Sequence, residues 1–214
     1  MPTVKTIIFD LGVVLLDLDL AAARGAFHQL NRNPNLQAEA LLKDPIFRAI
    51  ELGLATEEEL FETLRRALHF AGPDQALRDA WNAMLLTIPA KRITMLRELA
   101  DHYPIYLLSN TNDTHLEYIQ AHVQNTHQLS GLEELFIETY YSQKLHLRKP
   151  DPAIYAEVTR LAKLQPEETL FIDDNEDNVA AARTFGWQAL HLAPGEEVIE
   201  KLEQALSGVL PIGS

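Results

Sequence analysis

"TIIFDLGVVLLDLD", residues 6–19, opens on an apolar run that stops at a carboxylate, Asp10. The β-branched and aromatic residues of Thr3–Phe9 predict a buried strand. A carboxylate at the end of such a strand is a candidate nucleophile or metal ligand. Two residues on, where a second carboxylate could move protons, the chain has Gly12. The stretch fits an enzyme that lost a catalytic group, one that never needed it, or a protein that is no enzyme.

Working outward, the pattern changes twice. Leu20–Leu30, Leu36–Leu52, Thr56–Phe70 and Asp74–Leu86 carry apolar residues at helical spacing, and "TEEEL" makes Thr56 and Glu59 a capping box. No strand is predicted there. From Pro89 onward helices and strands alternate. "PIYLLS", "FIETYYS", "TLFIDD" and "WQALHL" read as strands. "PAKRITMLRELADHY", Asp113–Gln124, "DPAIYAEVTRLAKL", Asp177–Phe185 and Glu196–Leu206 read as helices. This alternation, joined by the first strand, predicts an α/β fold: a doubly wound, Rossmann-like parallel sheet with an inserted α-helical cap. The boundaries expected are residues 1–16 and 88–214 for the core and 17–87 for the cap.

Composition narrows the function. The 214 residues are 47% apolar and 23% charged, as in a globular protein, and a net charge of -13 argues against nucleic acid or anionic membranes as partners. No stretch suits a targeting segment or a bilayer span. Cysteine is absent, which excludes disulfides and thiolate chemistry and points to the cytoplasm.

Ligands of doubly wound sheets bind at the carboxyl ends of the strands. Those ends carry Asp10, Ser109-Asn110 and Asp173-Asp174, and the weak strand leads to Arg148-Lys149. Three aspartates in one site would repel, and a hard cation such as magnesium, held by oxygen ligands, removes the conflict. The competing reading of Asp173-Asp174 is a helix cap. Ser109 reads either as part of an anion site at a helix start or as a plain turn residue. In "RKPDP", Pro150 holds Lys149 extended, Asp151 can cap the next helix and Pro152 can open it. A lysine so fixed could neutralise a phosphate and its surrounding carboxylates; the competing reading is a surface lysine.

In this order, "IIFDLGVV", "LLSNTND", "RKPDPAIY" and "FIDDNEDN" resemble the four motifs of the haloacid dehalogenase superfamily, over nearly the whole chain. The helical stretch resembles that superfamily's cap inserted after the first strand, and the chain looks most like bacterial sugar-phosphate phosphatases. The resemblance implies that Asp10 is the nucleophile and forms an aspartyl-phosphate. It implies a magnesium ion (Mg2+) held by the Asp10 carboxylate, the Gly12 backbone carbonyl and Asp174, with Asp173 direct or through water. Ser109 and Lys149 would hold the phosphoryl oxygens, Asn110 and Arg148 would be candidate substrate contacts, and Asn178 would brace the metal loop. The implied partner is a small phosphorylated metabolite. The alternatives are a metal-independent 2-haloacid dehalogenase, which paired aspartates disfavour, and a binding module that has kept the fold.

The chain departs from the family at Gly12, where an aspartate usually protonates the leaving group, and at Val13, where glycine is usual. General acid–base help is worth ~10²–10⁴-fold. Three repairs are open: a leaving group that departs easily, such as an anomeric sugar oxygen; a substrate hydroxyl or water; or a cap residue. Asp17 and Asp19 read as hinge or helix-start residues. His28 and His69 are cap imidazoles of suitable pKa, but each reads more readily as a residue on a helix surface or face. Trp81 and Phe47 read as core aromatics more readily than as sugar platforms.

Overall fold

The structure is a computed structural model that describes residues 3–36, 41 and 43–206. Within them five strands form one parallel sheet: β1 (Thr6–Phe9), β2 (Ile105–Ser109), β3 (Glu138–Tyr141), β4 (Thr169–Asp173) and β5 (Gln188–His191), in the order β3-β2-β1-β4-β5. From β1 the chain builds outward to β3, then returns to the other side of β1 with β4. The strand order therefore reverses between β1 and β4, and that is where a doubly wound sheet opens its ligand crevice.

The sheet is buried on both faces, as parallel sheets are. Side chains alternate along β1, so Ile7 and Phe9 enter one apolar cluster and Ile8 the other. The first cluster is closed by α5 (Ala90–Ala100), α6 (Asp113–His127) and α10 (Val198–Ala205). The second is closed by α8 (Pro152–Ala162) and α9 (Glu176–Phe185). A short α7 (Ser142–Leu145) follows β3. Each of Ile7, Ile8 and Phe9 is fully buried, worth about 1.5–3 kcal/mol apiece.

Between β1 and α5 the chain forms α1 (Leu20–Leu30), α2 (Pro45–Glu51), α3 (Glu57–Leu68) and α4 (Asp74–Asn82) around a separate core that includes Leu60, Leu64, Leu68 and Leu77. Asp19 caps α1, Asp44 caps α2, and the Thr56–Glu59 capping box starts α3. Part of the helix expected over Leu36–Leu52 lies outside the described residues. α4 stops four residues short of Leu86, because residues 84–87 pair with the outgoing chain. Asp17 and Asp19 donate their N–H to the carbonyls of Thr87 and Met84. Asp17 and Asp19 thus sit in the crossing between sheet and helices. β1 begins at Thr6 rather than Thr3, since β4 starts opposite Thr6 and Pro104, just before β2, has no N–H to pair. α6 runs past Gln124 to His127, whose Nε2 lies 2.8 Å from the Ile88 carbonyl. No described helix is long and apolar enough to cross a membrane.

Arg92 locks the crossing. It is 6% exposed and bonds Asp17, Glu197 and the carbonyl of Leu15. Burial raises Glu197, but the bonds and charges of Arg92 and Lys91 outweigh it and pull the carboxyl down to about 2. Arg92→Met takes the partner from Asp17 and the Leu15 carbonyl and leaves Glu197 with Lys91 alone; it is expected to cost about 3 kcal/mol, read as a lower urea midpoint at pH 7. The Glu197 share of stability is present above pH 4.5 and is lost as pH falls from there toward 2.

Candidate active site

Asp10 follows β1, Asp173 ends β4 on the neighbouring strand, and Asp174 follows it, so the reversal of strand order brings the three aspartates together. Each offers an oxygen, all within 4.8 Å of one another. Lys149, 1% exposed, enters from the loop before α8. Its ammonium lies 2.5 Å from Asp10 Oδ1, 2.6 Å from Asp173 Oδ2 and 2.9 Å from the Leu108 carbonyl. All three of its donors are used.

The electrostatics follow from burial. Burial is the largest influence on Asp10, and with Asp173 and Asp174 nearby it raises the carboxyl to about 7 against the pull of Lys149. Asp174 is raised too, by burial and then by Asp173. Burial works against the charge of Lys149, yet Asp10 and Asp173 more than offset it and hold the ammonium above the ordinary lysine value. Three carboxylates against one ammonium leave an excess of negative charge. An oxygen-only donor set of this kind fits a hard divalent cation. The Gly12 carbonyl accepts from the Val14 N–H at 2.6 Å and has a second lone pair.

Neighbouring residues hold the cluster. Asp173 and Asp174 do not cap α9; Asn175 does. Asn178, one turn into α9, donates from its amide to both carboxylate oxygens of Asp173, at 3.0 and 3.1 Å. Asp151 caps α8, with Pro152 opening it. Asn110 grips the backbone of Lys149 in both directions, each bond 2.9 Å. That amide, read from the sequence as a substrate contact, therefore works here to hold the lysine loop. Arg148 pairs with Glu51 of α2, Nε to Oε2 at 3.0 Å. Val13 adopts φ 62°, a left-handed conformation that strains a β-branched residue.

A cavity of about 330 Å³ lies between the sheet edge and the helical insert. Gly12, Ser109, Asn110 and Asn112 line its floor, and Glu51, Phe47 and Trp81 its helical side. Trp81 and Phe47, 5.2 Å apart, both pack on the insert's core and face the cavity. His28 and His69 are not there. His28 is exposed beside a pocket within the insert, and His69 is the exposed left-handed cap of α3. Sequence reasoning missed Glu51 and His115, which belong to no motif. His115 of α6 stacks on Trp81 at 4.5 Å, with Nε2 3.2 Å from the Trp81 carbonyl.

A family model described as haloacid dehalogenase-like hydrolase matches residues 4–186. The chain belongs to the haloacid dehalogenase-like hydrolases. A curated relative, the D-ribitol-5-phosphate phosphatase of Bacteroides thetaiotaomicron, is 24% identical over 95% of this chain and 99% of its own. A sesquiterpene phosphatase of Aspergillus oryzae is 26% identical over 94% of this chain and 96% of its own. Among solved structures, a family enzyme from B. thetaiotaomicron in complex with magnesium and inorganic phosphate is similar at a TM-score of 0.83. It is 32% identical, with 91% of this chain and 96% of that one covered.

In this hydrolase His115 is neutral, because burial drives it down to about 4 against the Trp81 hydrogen bond. The unfolded chain takes up that proton near pH 6.5, so the contribution is full above about pH 6.5 and fades as pH falls toward 4. Between pH 7 and 5 the wild type should lose roughly 1–2 kcal/mol more stability than His115→Gln, read from urea midpoints at the two pH values.

Proposed function

We propose that this hydrolase is a magnesium-dependent phosphatase of a small phosphorylated metabolite, a sugar or polyol phosphate, working through an aspartyl-phosphate on Asp10. The observation that carries the reading is the buried cluster of Asp10, Asp173 and Asp174 around Lys149, at the point where the strand order reverses. The two phosphatases it resembles, and the neighbour that binds magnesium and phosphate, support it. Residues 17–87 act as a cap over the site.

Asp10, the Gly12 carbonyl, Asp174 and Asp173 would hold Mg2+, which supplies charge neutralisation for the phosphoryl group when bound. Asp10 then attacks phosphorus through one carboxylate oxygen. Ser109 binds the phosphoryl oxygens, and Lys149, whose three donors are already taken, keeps Asp10 oriented through the bond it makes and lends its positive charge to the phosphoryl group. Phosphoryl transfer rests mostly on such positioning and charge, which this rigid cluster provides. Asn178 acts through Asp173, and Asn110 acts through Lys149. A metal-free dehalogenase would have no use for three clustered aspartates facing an anionic substrate.

A second substrate reading has its own observation. Leu16, Leu18, Phe47, Met84 and Ile119 give the cavity an apolar wall that suits the phosphate of an apolar alcohol. The test is a panel of sugar 1-phosphates, ribitol 5-phosphate and a sesquiterpene alcohol phosphate, each with magnesium and with chelator. Phosphate release only with magnesium is expected, fastest on the sugar or polyol esters. Asp10→Asn should lower turnover by more than ~10³-fold, since the covalent step loses its nucleophile. Turnover that survives chelation, or survives Asp10→Asn, overturns the reading.

A further inference from the structure

Gly12 leaves this site without the side chain that would protonate the leaving group. Its backbone nevertheless opens on the same cavity as Glu51, the last residue of α2. The residues lining that cavity include two titratable side chains, Glu51 and His115. His115 cannot donate. Its Nε2–H is committed to the Trp81 carbonyl, and burial keeps the ring neutral. Glu51 is the acid that remains.

The fold takes care over where it puts Glu51. Gly53 follows at φ 64°, and a Cβ there would lie 2.2 Å from the Gln143 carbonyl oxygen. Only glycine lets this turn press against the backbone beyond β3. His146 Nδ1 lies 2.8 Å from the Leu52 carbonyl. Arg148 binds Glu51 by Nε at 3.0 Å and Nη2 at 2.9 Å, both to Oε2. No hydrogen bond occupies Oε1 among those the fold makes with Arg148. One carboxylate oxygen is anchored to the loop that carries Lys149, and the residue faces the cavity. A plain surface ion pair needs none of this scaffolding.

We propose that Glu51 is the general acid–base of this enzyme, presented from the helical insert in place of a side chain at position 12. The proposal rests on the phosphatase reading above. In the first step an Asp10 oxygen bonds to phosphorus, the bond from phosphorus to the leaving oxygen breaks, and the Glu51 proton passes to that oxygen. In the second step the Glu51 carboxylate takes a proton from water as the water attacks the aspartyl-phosphate. Inorganic phosphate leaves, and both Asp10 and the Glu51 carboxyl are restored.

The charged surroundings of Glu51 are consistent with a carboxyl that keeps its proton more readily than an exposed one. Burial raises it and outweighs Arg148 and Arg48, which lower it. His146 lies against the same turn, and neutral His115 stands across the cavity. A bound phosphate, being negative, adds to the rise. On this proposal Gly12 imposes no need for an easily departing leaving group such as an anomeric oxygen.

Leaving-group dependence tests it. With magnesium, kcat/KM is measured for an alkyl phosphate and for 4-nitrophenyl phosphate, whose phenolate departs with little protonation. This ratio reports the steps up to alcohol release. Glu51→Gln keeps an acceptor for Arg148 and has no proton to give. Its loss on the alkyl ester should exceed its loss on the nitrophenyl ester by about 100-fold. Equal losses on both esters would show a purely structural role and overturn the proposal. A second variant, Arg148→Gln, removes the cation that lowers Glu51, so the alkaline limb for the alkyl ester should move to higher pH; an unmoved limb also overturns it. The alkyl ester is whichever member of the sugar and polyol panel the wild type hydrolyses; if it releases phosphate from none of that panel, the phosphatase reading itself fails, and the role of Glu51 falls with it.

Discussion

One buried ammonium holds this molecule's chemistry together. Lys149 spends all three of its donors on Asp10, Asp173 and the Leu108 carbonyl, and so ties the ends of three adjacent strands at one point. Taking these charges out of water is costly, and the cost is met only if every partner is in place. The surrounding structure reads as a response to that constraint. Asn110 clasps the lysine backbone, Asp151 and Pro152 start α8 directly after it, and Asn178 holds both oxygens of Asp173. Loosening any of them would let the lysine choose one carboxylate over the other.

The helical insert has a different relation to the sheet. It carries its own apolar core, while Leu18, Met84 and Leu85 at its base pack into the sheet's core and polar contacts line its seams. Along one seam Arg78 meets Glu117, Thr114 meets Glu57, and His115 stacks on Trp81. Along the other, Arg148 meets Glu51 and His146 meets Leu52. Polar seams between separately packed bodies are looser than a shared core. The cavity lies between these seams, so its floor is held rigidly by the sheet while its opposite wall belongs to the insert.

Much of this was legible beforehand. The alternation after Pro89 implied a parallel sheet, and four short motifs at strand ends implied that their side chains meet. Both inferences work because a strand end is a local property, and parallel strands deliver their ends to one edge. The capping signals at Thr56 and Asp151 were equally local, and the structure has both. Facing is less local. His28 and His69 have suitable chemistry but read more readily as helix-surface residues, and both are exposed. Asn110, which looked ready for substrate, spends its amide on the chain itself.

The sequence by itself determined the fold class, the family motifs and the identity of the buried charges. Each is written in a few neighbouring residues whose strand, turn or cap preference is set by local chemistry. Only the tertiary structure decided what surrounds the gap at Gly12. Glu51, Trp81 and His115 come from separate helices with no motif in common, and they converge because apolar packing fixes each helix's rotation and depth. A side chain's neighbours across a domain crossing depend on that packing, which no local pattern records.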